Sequence, residues 1–463
     1  MQTELTYDLT NGSIFKNLLR FSIPYLLSCF LQTFYSLADL FIAGRFNGPA
    51  TTTGISVGSQ LTHMLTVVIA GLAMGATVTI GNAIGAKKQK EAGKSIGNTV
   101  VIFMIFALVV TALLILLIDP ILSVLKTPDE AYSETYSYVL ICFIGVPFIT
   151  AYNVISSIFR GFGDTRSPLM FVAAAGAVNI VLDYILIGPL KMQAAGAALA
   201  TIISQAISVA LSLIFLIKKE TGIKVGRQDL RPERYMIRKI LSVGLPISLQ
   251  DGCVQIAFLV ITAIANARGL EAAAAVGIVE KIISFLFLVP SAMLSSVSAI
   301  GAQNAGAGKD WRSVKTLKSA IIICLIYGAA AVIVCELFPS ALVGLFTDES
   351  SVAAAGGEYL KTYAFDTLIA GVHFCCCGFF CAYNRAVYSF ISNIASITIV
   401  RIPGAYLASK FFPDTLFPMG MAAPAGSLLS AVICVCLFVH IKNSCLDLSS
   451  DPLRISEGPG RTA

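Results

Sequence analysis

Twelve long apolar segments separated by short polar breaks are the feature that most constrains the fold of this chain. Each is about 20 to 30 residues long, and about 20 residues of helix suffice to cross a hydrocarbon layer of about 30 Å. A bilayer offers no water to backbone N–H and C=O groups, so spanning segments of this kind are predicted to be helical. Their approximate bounds are 14–43, 51–80, 95–118, 131–159, 167–188, 192–217, 239–266, 273–302, 316–338, 354–383, 387–410 and 417–441.

The composition agrees with this reading. Of the 463 residues, 56% are hydrophobic and only 13% are charged, and the mean hydropathy is +0.82. These values exclude a soluble globular protein and indicate an all-α integral membrane protein with twelve transmembrane helices. Residues 1–13 are polar and carry Glu4 and Asp8 in place of a basic n-region, so no signal peptide is expected.

Lysine and arginine residues fall unevenly between alternate loops. If both termini are cytoplasmic, the inner loops and tails hold 24 of the 32 Lys and Arg residues and the outer side holds 6. Short cytoplasmic loops are enriched in basic residues, so we expect a multi-pass plasma-membrane protein with both termini inside. The net charge of +6 then follows from topology and requires no nucleic-acid partner.

The two halves of the chain repeat one another. At a shift of 222 residues, Pro24 and Asn82 meet Pro246 and Asn304. Each half has six spans, so we predict two like-oriented six-helix bundles related by an axis along the membrane normal. The predicted parts are an N-terminal lobe (1–217), a basic cytoplasmic connector (218–238), a C-terminal lobe (239–441) and a cytoplasmic tail (442–463).

Two aspartates of the first half lie in apolar segments, and the repeat does not duplicate them. Asp39 is matched by Ile261, and Asp183 falls opposite Ile402 at a shift of 219. An aspartate at the centre of a membrane helix costs about 2.5 to 3.5 kcal/mol, so such residues are read as functional. Asn179 lies four residues before Asp183 and shares its helix face. We predict that the fold brings the two acids together in the N-terminal lobe.

The chemistry of this residue set suits a small cation. Two carboxylates, the Asn179 amide oxygen and the Thr201 hydroxyl on the next helix are hard oxygen ligands, and two neighbouring buried carboxyl groups can also retain a proton. The sequence leaves open whether a proton or a sodium ion binds at Asp39 and Asp183. The structural alternative is that both acids only form polar contacts between helices.

Charged residues of the second half have two interpretations. Intramembrane charges usually pair or face a watery cavity, so Arg401 is expected to neutralise Asp366, and Lys281 to neutralise Glu280 or Asp251. Asp251 and Asp366 are also candidates for contacting a cationic substrate. Tyr35 and Gln32, on the first helix with Asp39, are further candidate cavity residues.

Catalytic and metal-site patterns are weak. The twelve cysteines lie mostly in apolar segments and are interpreted as small core residues, and the consecutive residues of the run 373–377 cannot form a tetrahedral site alone. The chain lacks HExxH and Walker A motifs, so neither an enzyme nor an ATP-driven pump is expected. No cofactor is predicted beyond a coupling ion, and no metal beyond sodium.

Several motifs, in this order over twelve spans, resemble the multidrug and toxic compound extrusion (MATE) transporters, within them the branch named for the DNA-damage-inducible protein F. They are Ser22-Ile23-Pro24 with Ala38-Asp39, Arg160-Gly161-Phe162-Gly163-Asp164-Thr165, Asn179-Ile180-Val181-Leu182-Asp183, Gly196-Ala197-Ala198 with Thr201, and Gln303-Asn304-Ala305-Gly306-Ala307-Gly308.

The resemblance implies two six-helix bundles facing a central cavity, and antiport of organic cations against protons or sodium. The cation site of this branch would be Asp39, Asn179, Asp183 and Thr201, with Asn153 close by. A second branch uses a glutamate in helix seven, where this chain has Val254 or Gln255, so no cation site is expected in the C-terminal lobe.

The predicted function is a monomeric cation-coupled exporter of organic cations that works by alternating access, with Pro24 as the hinge of the first helix. A lipid-linked saccharide flippase of related fold is the alternative within transport. A channel or a non-transporting sensor is the alternative outside it, and either would leave the internal repeat unexplained.

Overall fold

The computed structural model describes residues 7–218, 223 and 225–445, and all regular secondary structure in these residues is helical. The predicted tail beyond residue 445 and connector residues 219–222 and 224 lie outside the described part. The helices are α1 (Ile14–Phe46), α2 (Pro49–Gly85), α3 (Gln89–Leu116), α4 (Ile118–Val124), α5 (Asp129–Ile144), α6 (Val146–Gly161), α7 (Arg166–Ile187), α8 (Gln193–Lys218), α9 (Arg234–Asn266), α10 (Leu270–Leu286), α11 (Leu288–Gly306), α12 (Asp310–Leu337), α13 (Pro339–Gly344), α14 (Ser350–Ala382), α15 (Ala386–Ala395), a π-helical segment (Ser396–Arg401), α16 (Ile402–Phe411), α17 (Phe417–Gly420) and α18 (Ala422–Cys445).

The predicted fold class is confirmed. Among the described residues, 11 helices are long and apolar enough to cross a membrane, and the bent pair α5 and α6 supplies a twelfth span. All twelve predicted segments overlap these spans. The short helices α4 and α13 were not predicted, and each follows the third span of its half, so they repeat one another as the longer helices do.

Three predicted single segments are irregular because of proline. A proline has no N–H to donate to the carbonyl four residues earlier. The chain therefore bends by 48° between α5 and α6, just before Pro147, and α10 gives way to α11 shortly before Pro290. The π-helical segment ends two residues before Pro403, and both prolines and π turns are common sites of helix irregularity.

The chain forms two compact units whose bounds differ from the predicted lobes. The first contains Ile23–Ile84 and Lys88–Gly244, and the second contains Asp8–Ser22, Gly85–Lys87 and the residues from Leu245 onward. Both α1 and α9 are thus divided between units immediately before a proline, Pro24 or Pro246.

Hydrogen bonds explain why the start of the chain belongs to the second unit. The Leu9 N–H donates to Gln303 Oε1 at 3.1 Å, and Lys309 Nζ donates to the Thr10 carbonyl at 3.0 Å. Arg312 Nη2 donates to the Gly12 carbonyl at 3.0 Å. These polar contacts hold the segment 8–13, here called the N-terminal latch, on the ends of α11 and α12.

The described part of the predicted connector packs on α3 in the first unit. The Glu233 N–H donates to Asn98 Oδ1 at 2.7 Å, and Lys94 Nζ lies 2.6 Å from Glu233 Oε1. A Cβ on Gly97 would lie 2.3 Å from the Asp229 carbonyl oxygen, so only glycine allows this approach. The connector is also shorter than predicted, because α9 already begins at Arg234.

Small residues and one central helix organise the second unit. In the most apolar 18-residue window of α14, 72% of the residues are buried. A Cβ on Gly378 would lie 2.5 Å from the Leu294 carbonyl oxygen of α11, and one on Gly371 would lie 2.7 Å from Cys324 Cβ of α12. Lipid gives helices no hydrophobic reason to associate, so such close backbone approaches supply the packing energy.

A candidate cation site in the first unit

Three helices of the first unit meet around two acids. Asp39 lies on α1, Asn179 and Asp183 lie on α7, and Thr201 lies on α8. Gly176, one turn before Asn179, lets α1 approach α7, since a Cβ there would lie 3.3 Å from Tyr35 Cδ1. The alanines at 197, 198 and 200 are fully buried and keep α8 close to its neighbours.

The acids meet as the sequence predicts. The Asp39 carboxylate lies against the side chains of Asp183, Thr201 and Asn179. Exposure is 6% for Asp39, 1% for Asn179 and 0% for Asp183. Two acids that are four helical spans apart in sequence therefore share one dry site within a single unit.

The site has more buried acceptors than donors. In the described part of the chain, Asp39 Oδ1, both Asp183 carboxylate oxygens and both amide atoms of Asn179 have no hydrogen-bond partner of good geometry. The Thr201 hydroxyl donates to the Ala197 carbonyl at 3.1 Å, which leaves its lone pairs free to accept or ligate. Unpaired buried oxygens are costly, and either a shared proton or a small hard cation would satisfy them.

Tyrosines surround the acids, and one of them was missed by the sequence analysis. Tyr35 lies close enough to Asp39 to interact electrostatically with it. Tyr138 of α5 is 2% exposed and is within the electrostatic range of both Asp39 and Asp183. A tyrosine among apolar residues gives little sequence signal. Tyr138 also packs closely against α2, where a Cβ on Gly58 would lie 2.3 Å from its ring.

The remaining predicted residues of the first unit are less closely involved. Asn153 is buried, but its amide donates to the Ile149 carbonyl of its own helix at 2.9 Å. Gln32 is half-buried and interacts with Tyr152 instead of with the two acids. Neither residue is among the contacts of the Asp39 carboxylate.

The acids of the second unit differ from one another. Asp366 is buried and forms an ion pair with Arg401, as expected from sequence, so its charge is already neutralised. Asp251 is half-buried and, within the described residues, forms no ion pair or hydrogen bond. Glu280 accepts a hydrogen bond from Thr262 Oγ1 at 3.3 Å. Lys281 is exposed and pairs with neither Glu280 nor Asp251, so that predicted pairing is wrong.

The first helix is continuous through Pro24. A proline has no N–H to donate within a helix, yet α1 runs unbroken from Ile14 to Phe46, and Ser28 Oγ donates to the Pro24 carbonyl at 2.9 Å. Only 17% of the most apolar window of α1 is buried. The helix that carries Asp39 is therefore both weakened at one point and lightly packed.

Comparison with known proteins now bears on this arrangement. The sequence model of the MatE family matches residues 24–185 and 246–407. This chain belongs to the MatE family. The two matches begin 222 residues apart, at Pro24 and Pro246, which confirms the internal repeat predicted from the sequence. The resemblance to multidrug and toxic compound extrusion transporters is likewise confirmed, while the particular branch stays a prediction.

Relatives of similar length support the assignment. The chain is 28% identical over 423 residues to the probable multidrug resistance protein YpnP of Bacillus subtilis, covering 90% of this chain and 93% of that protein. It is 26% identical over 443 residues to an FAD transporter of Shewanella oneidensis, covering 94% and 96%. A MOP superfamily transporter from Pyrococcus furiosus has the same fold, with a TM-score of 0.89, 22% identity and coverage of 96% and 99%. The protein is thus a multi-pass membrane protein of a multidrug efflux family.

Proposed function

We propose that this MatE protein is a cation-coupled antiporter that exports organic cations, with a proton or sodium ion bound by Asp39, Asn179, Asp183 and Thr201. The observation that carries the proposal is the meeting of Asp39 and Asp183 in a buried site whose oxygens lack donors. A purely structural pair of acids would be satisfied by the protein itself. The unsatisfied oxygens of Asp39 and Asp183 instead favour binding of a proton or a small cation.

Ion binding would act through α1. A cation between Asp39 and Asp183 draws α1 towards α7 and α8, whereas loss of the ion leaves two facing carboxylates that repel one another. The helix can respond because it is lightly packed and has a proline, Pro24, in its interior. An ion shifts such an equilibrium only through its different affinity for the two positions of the helix.

Residues of α1 near the cation site are candidates for contact with the substrate. Tyr35 and Gln32 lie on α1 on the Asp39 side of Pro24, and aromatic rings attract organic cations. In the second unit, taken by itself, Asp251 is half-buried and unpaired among the described residues, so it is a separate candidate for contact with a cationic substrate. Asp366 is a poorer candidate because Arg401 neutralises it.

Energy and topology complete the proposal. The sequence has no nucleotide-binding motif, so an ion gradient is the energy source we propose. The bias of basic residues supports a topology with both termini in the cytoplasm. We further propose that the protein works in the plasma membrane as a monomer.

A second candidate is export of an organic anion. Arg160, 7% exposed in the first unit, contacts the Tyr25 hydroxyl at 3.4 Å, but its Nε and Nη2 have no partner in the described part of the chain. One relative is named an FAD transporter, and FAD carries phosphates. An anionic group of a substrate would satisfy this guanidinium.

Transport in reconstituted vesicles tests both candidates. Imposed proton or sodium gradients should drive uptake of a fluorescent organic cation by the wild type, and Asp39→Asn and Asp183→Asn should each reduce driven uptake to the level of empty vesicles. Asp348→Asn, an exposed aspartate outside the site, is the matched control and should transport normally. Driven movement of flavin nucleotide without movement of cations would favour the second candidate, and normal transport by both site variants would contradict the site.

A further inference from the structure

Three potential metal ligands, one histidine and two cysteines, converge in the second unit, far in sequence from the acids. His373 and Cys377 lie one turn apart on α14, and Cys434 comes from α18. Their ligand atoms all lie within 4.8 Å of one another, and the residues are 4%, 0% and 0% exposed. The run 373–377 does not form a site by itself, but α18 supplies the ligand that the run lacks.

The distances match a coordination sphere. Zn–S bonds of about 2.3 Å and Zn–N bonds of about 2.0 to 2.1 Å place neighbouring tetrahedral ligands about 3.5 to 3.8 Å apart. His373 Nδ1 lies 3.4 Å from Cys434 Sγ and 3.7 Å from Cys377 Sγ. The two sulfur atoms lie within 4.8 Å of each other, so they would move together by at most about 1 Å when an ion binds.

Neighbouring groups on α15 orient the ligands. The Asn393 amide lies 3.4 Å from His373 Nε2, so with its oxygen turned to the ring it would accept the Nε2–H and leave Nδ1 free to bind metal. Ser392 Oγ lies 3.3 Å from Cys434 Sγ and donates to the Ser389 carbonyl at 2.9 Å. Asn393 is half-buried, so the site borders the surface of the unit on this side.

We propose that His373, Cys377 and Cys434 bind a divalent ion of the zinc class. Two thiols each release a proton as their sulfur atoms bind the ion, so two protons leave for each ion that enters. The bound group then has no net charge, since two thiolates balance one divalent cation, and a buried site disfavours any net charge. A monovalent soft ion would leave one negative charge unbalanced. One coordination position stays open for water or a ligand.

Such an ion would tie α14 to α18. Both helices belong to the second unit, and the coupling acids belong to the first. Metal binding is measured without transport, so failure of this proposal and failure of the proposed antiport are separate results.

The test uses Co²⁺ as a spectroscopic probe of the full-length, reduced protein in detergent. We expect thiolate-to-cobalt charge-transfer bands, ligand-field bands of a four-coordinate ion, one ion per chain, release of two protons per ion, and displacement by Zn²⁺. Cys377→Ser, Cys434→Ser and His373→Ala should each weaken binding by at least tenfold. Zn²⁺ should also raise the thermal unfolding midpoint of the wild type but not of Cys434→Ser.

The matched control is Cys375→Ser. Cys375 lies on the same helix and its Sγ is 3.7 Å from Cys324 Sγ, so it represents a thiol pair without a histidine. This variant should bind Co²⁺ as the wild type does. Absence of the bands in the reduced wild type, retention of them in a Cys377→Ser, Cys434→Ser double variant, or loss of them only in Cys375→Ser would overturn the proposal.

Discussion

At the scale of single residues, the two units treat their buried acids in opposite ways. In the first, Asp39 and Asp183 face each other, and no basic side chain of the described residues is among their contacts. In the second, Asp366 is neutralised by Arg401. The ion pair gives Asp366 a structural role, while the unsatisfied oxygens of Asp39 and Asp183 are the basis of the cation site that we propose.

Removing one member of the second-unit pair tests this distinction. Arg401→Met should destabilise the protein by about 3 to 5 kcal/mol, because it leaves the Asp366 charge buried and uncompensated. Asp366→Asn combined with Arg401→Met should restore most of that loss. Thermal unfolding in detergent measures both. Equal destabilisation by the single and double variants would contradict a charge-pairing role.

At the scale of elements, the first helix of each half combines a proline with a change of unit. Pro24 and Pro246 hold equivalent positions, but α9 carries Ile261 where α1 carries Asp39. A proline-containing first helix is therefore present in both halves, but only that of the first half, α1, carries one of the two acids.

Pro24→Ala should impair release of substrate more than its binding. Alanine restores the backbone hydrogen bond, and proline in a helix interior costs about 3 kcal/mol relative to alanine, so the variant favours a straight α1. We expect vesicle transport to fall at least tenfold while equilibrium affinity for a fluorescent cation changes less than about threefold. Pro246→Ala makes the same change in α9 and is the control. An equal loss in both variants would remove the special role of α1.

The N-terminal latch has a pH dependence of its own. Partial burial raises the pKa of Asp8, but hydrogen bonds from Thr10 and Asn11 and the nearby Lys309 outweigh it, so the pKa lies below its ordinary value of 3.8. The carboxylate therefore contributes stability above that value, and the contribution is lost as the pH falls through the lowered pKa.

The difference in thermal midpoint between wild type and Asp8→Asn should accordingly be largest near neutral pH, begin to shrink as the pH falls below about 4, and vanish once the pH is below the lowered pKa. We expect it to be small, because Asp8 is exposed. A difference that stays constant from neutral to acidic pH would show that the carboxylate charge does not hold the latch.

At the scale of the whole molecule, the sequence predicts the features that are set by long stretches of composition along the chain. Long apolar segments specify the spans, and the repeat specifies two units, because both are read along the chain. The bend at Gly145 and the divided helices α1 and α9 depend on packing around prolines, which composition does not reveal. Tyr138 was missed because a tyrosine among apolar residues gives little sequence signal.

The acid site of the first unit and the His373, Cys377 and Cys434 cluster of the second differ in how far the sequence predicts them. Asp39 and Asp183 were predictable because acids in apolar helices are rare and the family resemblance joined them. The approach of Cys434 to His373 and Cys377 depends on how α18 packs against α14, and cysteines in apolar segments carry no special signal. A ligand set split between helices becomes visible only in three dimensions.

The central claim is that one first-unit site couples ion to substrate. The most direct measurement is equilibrium binding of a fluorescent organic cation to purified protein over a range of pH and sodium concentrations, in the wild type and in the Asp39→Asn, Asp183→Asn double variant. Coupling energies of about 1 to 3 kcal/mol correspond to about 5- to 150-fold changes in affinity. We predict that wild-type affinity falls at least fivefold with added protons or sodium and that the double variant does not respond. A wild-type affinity independent of both ions, or an unchanged response in the double variant, would contradict the account.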